Sequence, residues 1–197
     1  MQRVSTTVVA VIGGSPAALD ALGGAANVAV AATPPDLVGM EGAVWAWRRA
    51  TATSRAYFVH DADPLGRVAD TWVRRFDQEE PPGALEVAVT EALRRWRAGD
   101  VELPDYYLLV DPEPWPGTWR HWFLGVLAGA APARVVVVPD ARDLAGPLTR
   151  LATGPWWPGL DRLLAGIDQV VPDREGPTQV SPGRAGARAA EGLIARP

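Results

Sequence analysis

The chain contains no cysteine and no lysine. Without cysteine there is no disulfide framework, no thiolate metal site and no cysteine nucleophile. Without lysine there is no phosphate-loop lysine, Schiff-base former or lysine general base, and all 19 basic residues are arginine. Histidine is scarce: His60 and His121 stand far apart in the chain, so a metal site would rely on carboxylates, which suit Mg²⁺ or Mn²⁺ better than zinc. Long apolar runs are missing too. The longest stretch, HWFLGVLAGAAPARVVVVP, is interrupted by Pro132 and Arg134 and does not read as a membrane span. The opening MQRVSTTVVAVIGGSPAAL has an arginine before an apolar stretch of about eight residues and lacks the usual cleavage signature. No leader and no membrane partner are therefore expected, and the chain reads as cytoplasmic.

What is present suits one globular domain. The 197 residues are 48% hydrophobic and 21% charged, enough for one substantial core. The load of Arg, Ala, Gly and Pro reflects G+C-rich coding. A formal net charge of −4 gives no global attraction to nucleic acid, so such binding would need a local basic patch.

Short β-branched runs alternate with segments of helical period. TTVVAVI (6–12), NVAVAAT (27–33), RAYFVH (55–60), YYLLV (106–110) and RVVVVP (134–139) read as strands, with IDQVV (167–171) as a sixth. Most are continuously apolar, as strands covered on both faces should be. Between them, Leu65, Val68, Ala69, Trp72, Val73 and Phe76 recur at helical spacing, as do Leu85, Val89, Ala92, Leu93 and Trp96. Trp119, Trp122, Phe123, Val126 and Leu127 form a third stripe, with His121 opposite it and expected in solvent. The pattern predicts an α/β, three-layer, Rossmann-like fold with a mostly parallel sheet of five or six strands and helices on both faces. It predicts a single domain over residues 1–171 and a C-terminal tail or linker over 172–197, with a short helix near ARAAEGLIA.

Three strands end alike: YFVHD at Asp61, YLLVD at Asp111 and VVVPD at Asp140. In a parallel sheet these ends share the edge where open α/β folds place ligands, gathering Asp61, Asp63, Asp111, Glu113 and Asp140 on one rim. Crowded carboxylates call for a cation such as Mg²⁺ or for arginines. Against that, Asp63 precedes Pro64 and reads as a helix N-cap, Asp140 reads likewise, and Asp111 fits an Asx-turn. Asp61 comes too early to cap and has no such explanation.

VIGGSPAALDAL places Gly13, Gly14 and Ser15 at a strand-to-helix turn whose amides could receive an anion, as in a nucleotide site. It matches neither G-x-G-x-x-G nor G-x-S-x-G, and a turn with Ser15 as N-cap is the plainer reading. GPWWPG puts Trp156 and Trp157 among turn formers, as a contact for a protein partner or a base, with packing under a loop as the alternative. Arg67, Arg74 and Arg75, then Arg94, Arg95 and Arg97, are candidate phosphate contacts, balanced by Asp70, Glu86 and Glu91.

VAVIGGSPAALDAL, NVAVAAT and AYFVHDADPLGRVADTW, in that order, resemble the Toprim domain of primases, topoisomerases and related nucleases. DADPLG is most similar to the form in the A subunit of DNA topoisomerase VI and its relatives, and GSPAALDAL to the first motif of bacterial plasmid-defence nucleases. The similarity spans residues 6 to 76. It implies Mg²⁺ or Mn²⁺ ligation by Asp61 and Asp63, with a first-strand Glu in acid–base or metal chemistry on nucleic acid. Here Gly13 and Gly14 stand where that Glu belongs. Either Asp111 and Glu113 substitute for it, or the domain is degenerate and not an enzyme. A non-catalytic module that binds another protein, or a small nucleotide-binding protein, are the other readings.

Overall fold

The computed structural model describes residues 5–76 and 81–172; the proposed helix near ARAAEGLIA lies outside them. Five strands form one parallel sheet in the order β2-β3-β1-β4-β5: β1 (Thr7–Ile12), β2 (Val28–Ala31), β3 (Tyr57–His60), β4 (Tyr106–Val110) and β5 (Val135–Val138). Each lies within a run predicted from its apolar, β-branched composition. Burial follows position in the sheet. β4 is buried at every residue, whereas every residue of the edge strand β2 is half-buried.

The helices are α1 (Pro16–Leu22), α2 (Met40–Ala52), α3 (Gly66–Phe76), α4 (Ala84–Arg97), α5 (Gly117–Arg120), α6 (Ala128–Ala130), α7 (Ala145–Leu148) and α8 (Leu160–Leu164). They cover the two faces unequally. α1 contributes Leu19 and Leu22, and α7 contributes Leu148, to the thin layer against Val9, Val11, Val59 and Leu108. The opposite face carries α3, α4 and α8 around Trp72, Trp122, Phe123 and Tyr107, and α2 against Val8 and Phe58. This asymmetry follows from handedness. The β1–β2 connection crosses β3 one way, the later connections run the other way, and right-handed crossovers put opposite directions on opposite faces.

The third stripe departs from a regular α-helix. Between α5 and α6 the residues His121–Leu127 form a π-helical segment, whose i to i+5 bonding changes the rotation per residue. His121 therefore does not project into solvent. It is half-buried, and its ring stacks on Trp72 at 6.1 Å between centroids and 12° between planes. Gly125 is part of the arrangement, because a Cβ there would lie 2.8 Å from the His121 ring.

The sixth strand is also corrected. Residues Ile167–Gln169 form a 3₁₀ turn introduced by Gly166 at φ +71°. Ile167 is buried and its carbonyl accepts the indole N–H of Trp72 at 3.1 Å. Ile167, with Val170 partly buried beside it, thus plugs the helical layer, and β2 and β5 remain the sheet edges.

Candidate functional site

Asp61 and Asp63 follow β3 directly and line one cleft of about 250 Å³ with Thr33, Leu37, Gly39, Gly42, Ala62 and Gly66. Gly42 lets the 33–37 loop approach α2, since a Cβ there would sit 2.8 Å from Thr33 Cγ2 and 3.1 Å from the Leu37 carbonyl. The two carboxylates are held in different ways. Asp61 Oδ1 accepts from Thr33 N–H at 2.7 Å and from Thr33 Oγ1 at 2.5 Å. Asp61 therefore has a structural role after all: it ties the loop after β2 to the end of β3.

Asp63 Oδ1 accepts from Leu65 N–H at 2.8 Å, the expected cap of the turn entering α3, and also from the Tyr107 hydroxyl at 2.8 Å. Tyr107 is fully buried on β4, and its register places it opposite Ala10, which itself lies opposite His60. The small Ala10 side chain leaves room on this face between two larger residues. The two tyrosines of the otherwise apolar β4 were the signal, because a buried hydroxyl must find a partner, and that of Tyr106 donates to the Ala152 carbonyl.

Burial pushes the Asp63 carboxyl up from 3.8 to about 6, against the opposing effect of its bonds from Leu65 and Tyr107. Burial, with the Asp63 charge nearby, also raises the Tyr107 hydroxyl well above its usual value. Beside them, His60 is buried with Nδ1 unpartnered, and burial lowers its pKa to about 4 although the Asp61 charge acts the other way.

The Asp63 shift has a definite sign in stability. Between pH 4 and 6 the folded chain keeps a proton that the unfolded chain releases. The associated stabilisation is complete below the unfolded pKa of 3.8 and is lost as pH rises through about 6. Asp63→Asn retains an acceptor for Leu65 and Tyr107 and cannot ionise. In urea denaturation with EDTA present, it should match the parent near pH 4 and exceed it at pH 7.5 by on the order of 2 kcal/mol. Equal stability at pH 7.5 would mean that this carboxyl is well solvated.

The other residues of the rim are placed apart. Among the described residues, no group of three or more His, Asp or Glu is arranged to hold a metal ion. Asp111 is exposed at φ +43°, with its N–H donating to the Val138 carbonyl. The Glu113 side chain is 86% exposed and pairs with Arg120 at 3.4 Å. Asp140 caps the turn at Ala141–Asp143, and hydrogen bonds from Arg142 hold its carboxyl down at about 2.

The glycine turn is already occupied by the protein. Ser15 Oγ accepts from Ala18 N–H at 3.2 Å, so it acts as the N-cap of α1. Gly13, at φ +80°, packs against the Trp115 ring. Trp157 is 6% exposed, and its indole donates to the Pro104 carbonyl at 2.7 Å, so it packs in the core. Trp156 is 38% exposed, with the Arg134 guanidinium 4.2 Å from its ring centroid.

Most candidate phosphate-contact arginines have acid partners. Asp70 lies 3.1 Å from Arg74 and 4.0 Å from Arg67. Glu91 lies 2.7 Å from Arg94 and 3.0 Å from Arg95, which also reaches Glu41 and Asp100. Such exposed pairs add little stability, but they neutralise the charge a phosphate would meet. Among the described residues, no helix is long and apolar enough to cross a membrane. Comparisons with protein-family models, curated proteins and solved structures found no match for the chain.

Proposed function

We propose that the chain is a Toprim-like domain without that family's catalytic acid set. It binds one hard divalent cation, Mg²⁺ or Mn²⁺, between Asp61 and Asp63, and serves nucleic-acid transactions by binding, not by phosphoryl transfer. The observation that carries this reading is the shared cleft. Each carboxylate has Oδ1 held by the protein, while its Oδ2 has no hydrogen-bond partner among the described residues.

This donor set fits one ion. Mg²⁺ keeps several waters and is commonly held by only one or two carboxylates. A bound cation would also favour the charged form of Asp63, which burial disfavours. The set does not fit phosphoryl transfer, in which metal ions must stabilise both the attacking and leaving oxygens. Gly13 and Gly14 hold the first-strand position, and Asp111 and Glu113 lie outside the cleft. The nucleotide reading has less support, because Ser15 Oγ is committed to its cap and Trp115 packs against Gly13.

Thermal unfolding with and without MnCl₂ tests the proposal. At ten times its dissociation constant, Mn²⁺ should raise the midpoint by about 3–5 °C. The Asp61→Asn/Asp63→Asn variant should show no such rise, and Mn²⁺ paramagnetic resonance should count one bound ion in the parent alone. A parent chain indifferent to about 10 mM Mn²⁺ and Mg²⁺, a concentration above the weakest Ca²⁺-module affinities, would end the reading.

A further inference from the structure

A second concave feature lies at the β2 edge of the sheet and shares no lining residue with the carboxylate cleft. It is a groove of about 560 Å³ lined by Ala29, Val30 and Ala31 of β2, Phe58 of β3, and Trp45, Arg48, Arg49 and Ala52 of α2. Its floor is apolar, and the small side chains of Ala29 and Ala31 leave it open. No carboxylate lines it.

Its rim is a strand edge. β2 pairs with β3 on one side only. The Tyr57 N–H donates to the Asn27 carbonyl, so the alternation of a parallel ladder turns the amides of Ala29 and Ala31 toward β3 and those of Val28 and Val30 outward. Val28 N–H is taken by the Ala25 carbonyl at 3.3 Å. The Val28 carbonyl and both backbone groups of Val30 face outward, and such an edge is a template for another strand.

The charge at the groove has one sign. Arg48 and Arg49 are exposed, and the Arg49 guanidinium lies 5.1 Å from the Trp45 ring centroid. Neither forms a salt bridge among the described residues, in contrast to Arg67, Arg74, Arg94 and Arg95. Two unneutralised guanidiniums beside an apolar trough and an open strand edge select an extended segment with aliphatic and acidic side chains.

We infer that the β2 edge is a docking site for an extended, acidic segment of a partner protein, which adds as a sixth strand and sets its carboxylates against Arg48 and Arg49. Main-chain bonds to Val28 and Val30 supply affinity, and the groove and arginines supply selectivity. A second copy of this chain fits less well. Two-fold pairing of β2 with itself would put both α2 helices on the same face and bring their arginines together without an acid between them.

The test uses a fluorescein-labelled octapeptide of alternating valine and glutamate, titrated into the full chain in EDTA so that the cation site plays no part. The peptide should bind, its valine–lysine counterpart should not, and amide resonances of Ala29 to Ala31 should shift. Arg48→Ala/Arg49→Ala should weaken binding about tenfold or more, and Val30→Pro, which removes an outward N–H and no ladder bond, should do likewise. If Val30→Pro does not fold, the arginine variant alone decides. No binding at about 1 mM peptide, the weak end of the affinity scale, would overturn the inference. So would equal binding of the lysine peptide, or affinity unchanged in the arginine variant. Competition by self-association would assign the edge to a second copy, and displacement by a single-stranded DNA decamer would assign it to nucleic acid; either result also overturns it.

Discussion

Replacing Trp72 with alanine should destabilise the fold by about 4–5 kcal/mol, the upper range for removal of a large core side chain. Trp72 is fully buried. Its ring lies 4.8 Å from Phe76 and 5.6 Å from Trp122, and His121 stacks on it at 6.1 Å. Its indole N–H also satisfies the Ile167 carbonyl. One side chain therefore joins α3, the π-helical segment and the turn after α8. Alanine would leave a cavity at that junction and remove one of the two hydrogen bonds to the Ile167 carbonyl, which keeps the bond from Val170 N–H. Trp72→Phe keeps most of the packing and removes one hydrogen bond to a carbonyl that retains Val170 N–H, so it should cost about 0.5–1.5 kcal/mol. Urea denaturation of the parent and both variants measures the series. A loss below about 2 kcal/mol for alanine, less than core truncations typically cost, would show that the three elements do not converge on this ring.

Gly13→Ala should have the next largest effect, about 3 kcal/mol. Two costs combine. The backbone stands at φ +80°, where a Cβ costs about 1–2 kcal/mol. That Cβ would also lie 2.5 Å from Trp115 Cζ2 and 2.9 Å from the Val110 carbonyl, an overpacking worth about 1–3 kcal/mol. The two contacts respond differently to a second change. In Gly13→Ala/Trp115→Ala the indole clash disappears, while the dihedral strain and the backbone clash persist. The double variant should therefore be more stable than the sum of its single effects predicts, as coupled neighbours are. Strict additivity would separate Gly13 from Trp115 and reopen the turn to an anion.

The carboxylate pair shows how differently neighbouring residues can be determined. From DADPLG, Asp63 is explained by capping, and its bond from Leu65 N–H agrees. The same string leaves Asp61 unexplained, yet Asp61 is anchored by Thr33 from the loop after β2. Asp63 carries the second, less ordinary contact, to Tyr107 from 44 residues away. A local pattern can identify a cap, because a cap is made with the next few residues. It cannot identify a partner that arrives on another strand.

The same distinction runs through the whole molecule. Composition and periodicity by themselves determined five strands, the buried stripes of α3 and α4, and the parallel α/β architecture, because each depends on apolar residues recurring along a few turns of chain. Local chemistry also determined the caps at Ser15 and Asp140. Only the tertiary structure decided that Ile167 plugs a core and does not add a strand, that the π-helical segment turns His121 onto Trp72, and that Trp157 meets the Pro104 carbonyl. It also separated Asp111 and Glu113 from the cleft of Asp61 and Asp63. A strand end's chemistry is written in its own residues, but its neighbours are set by strand order and crossover direction, which no short stretch of sequence contains.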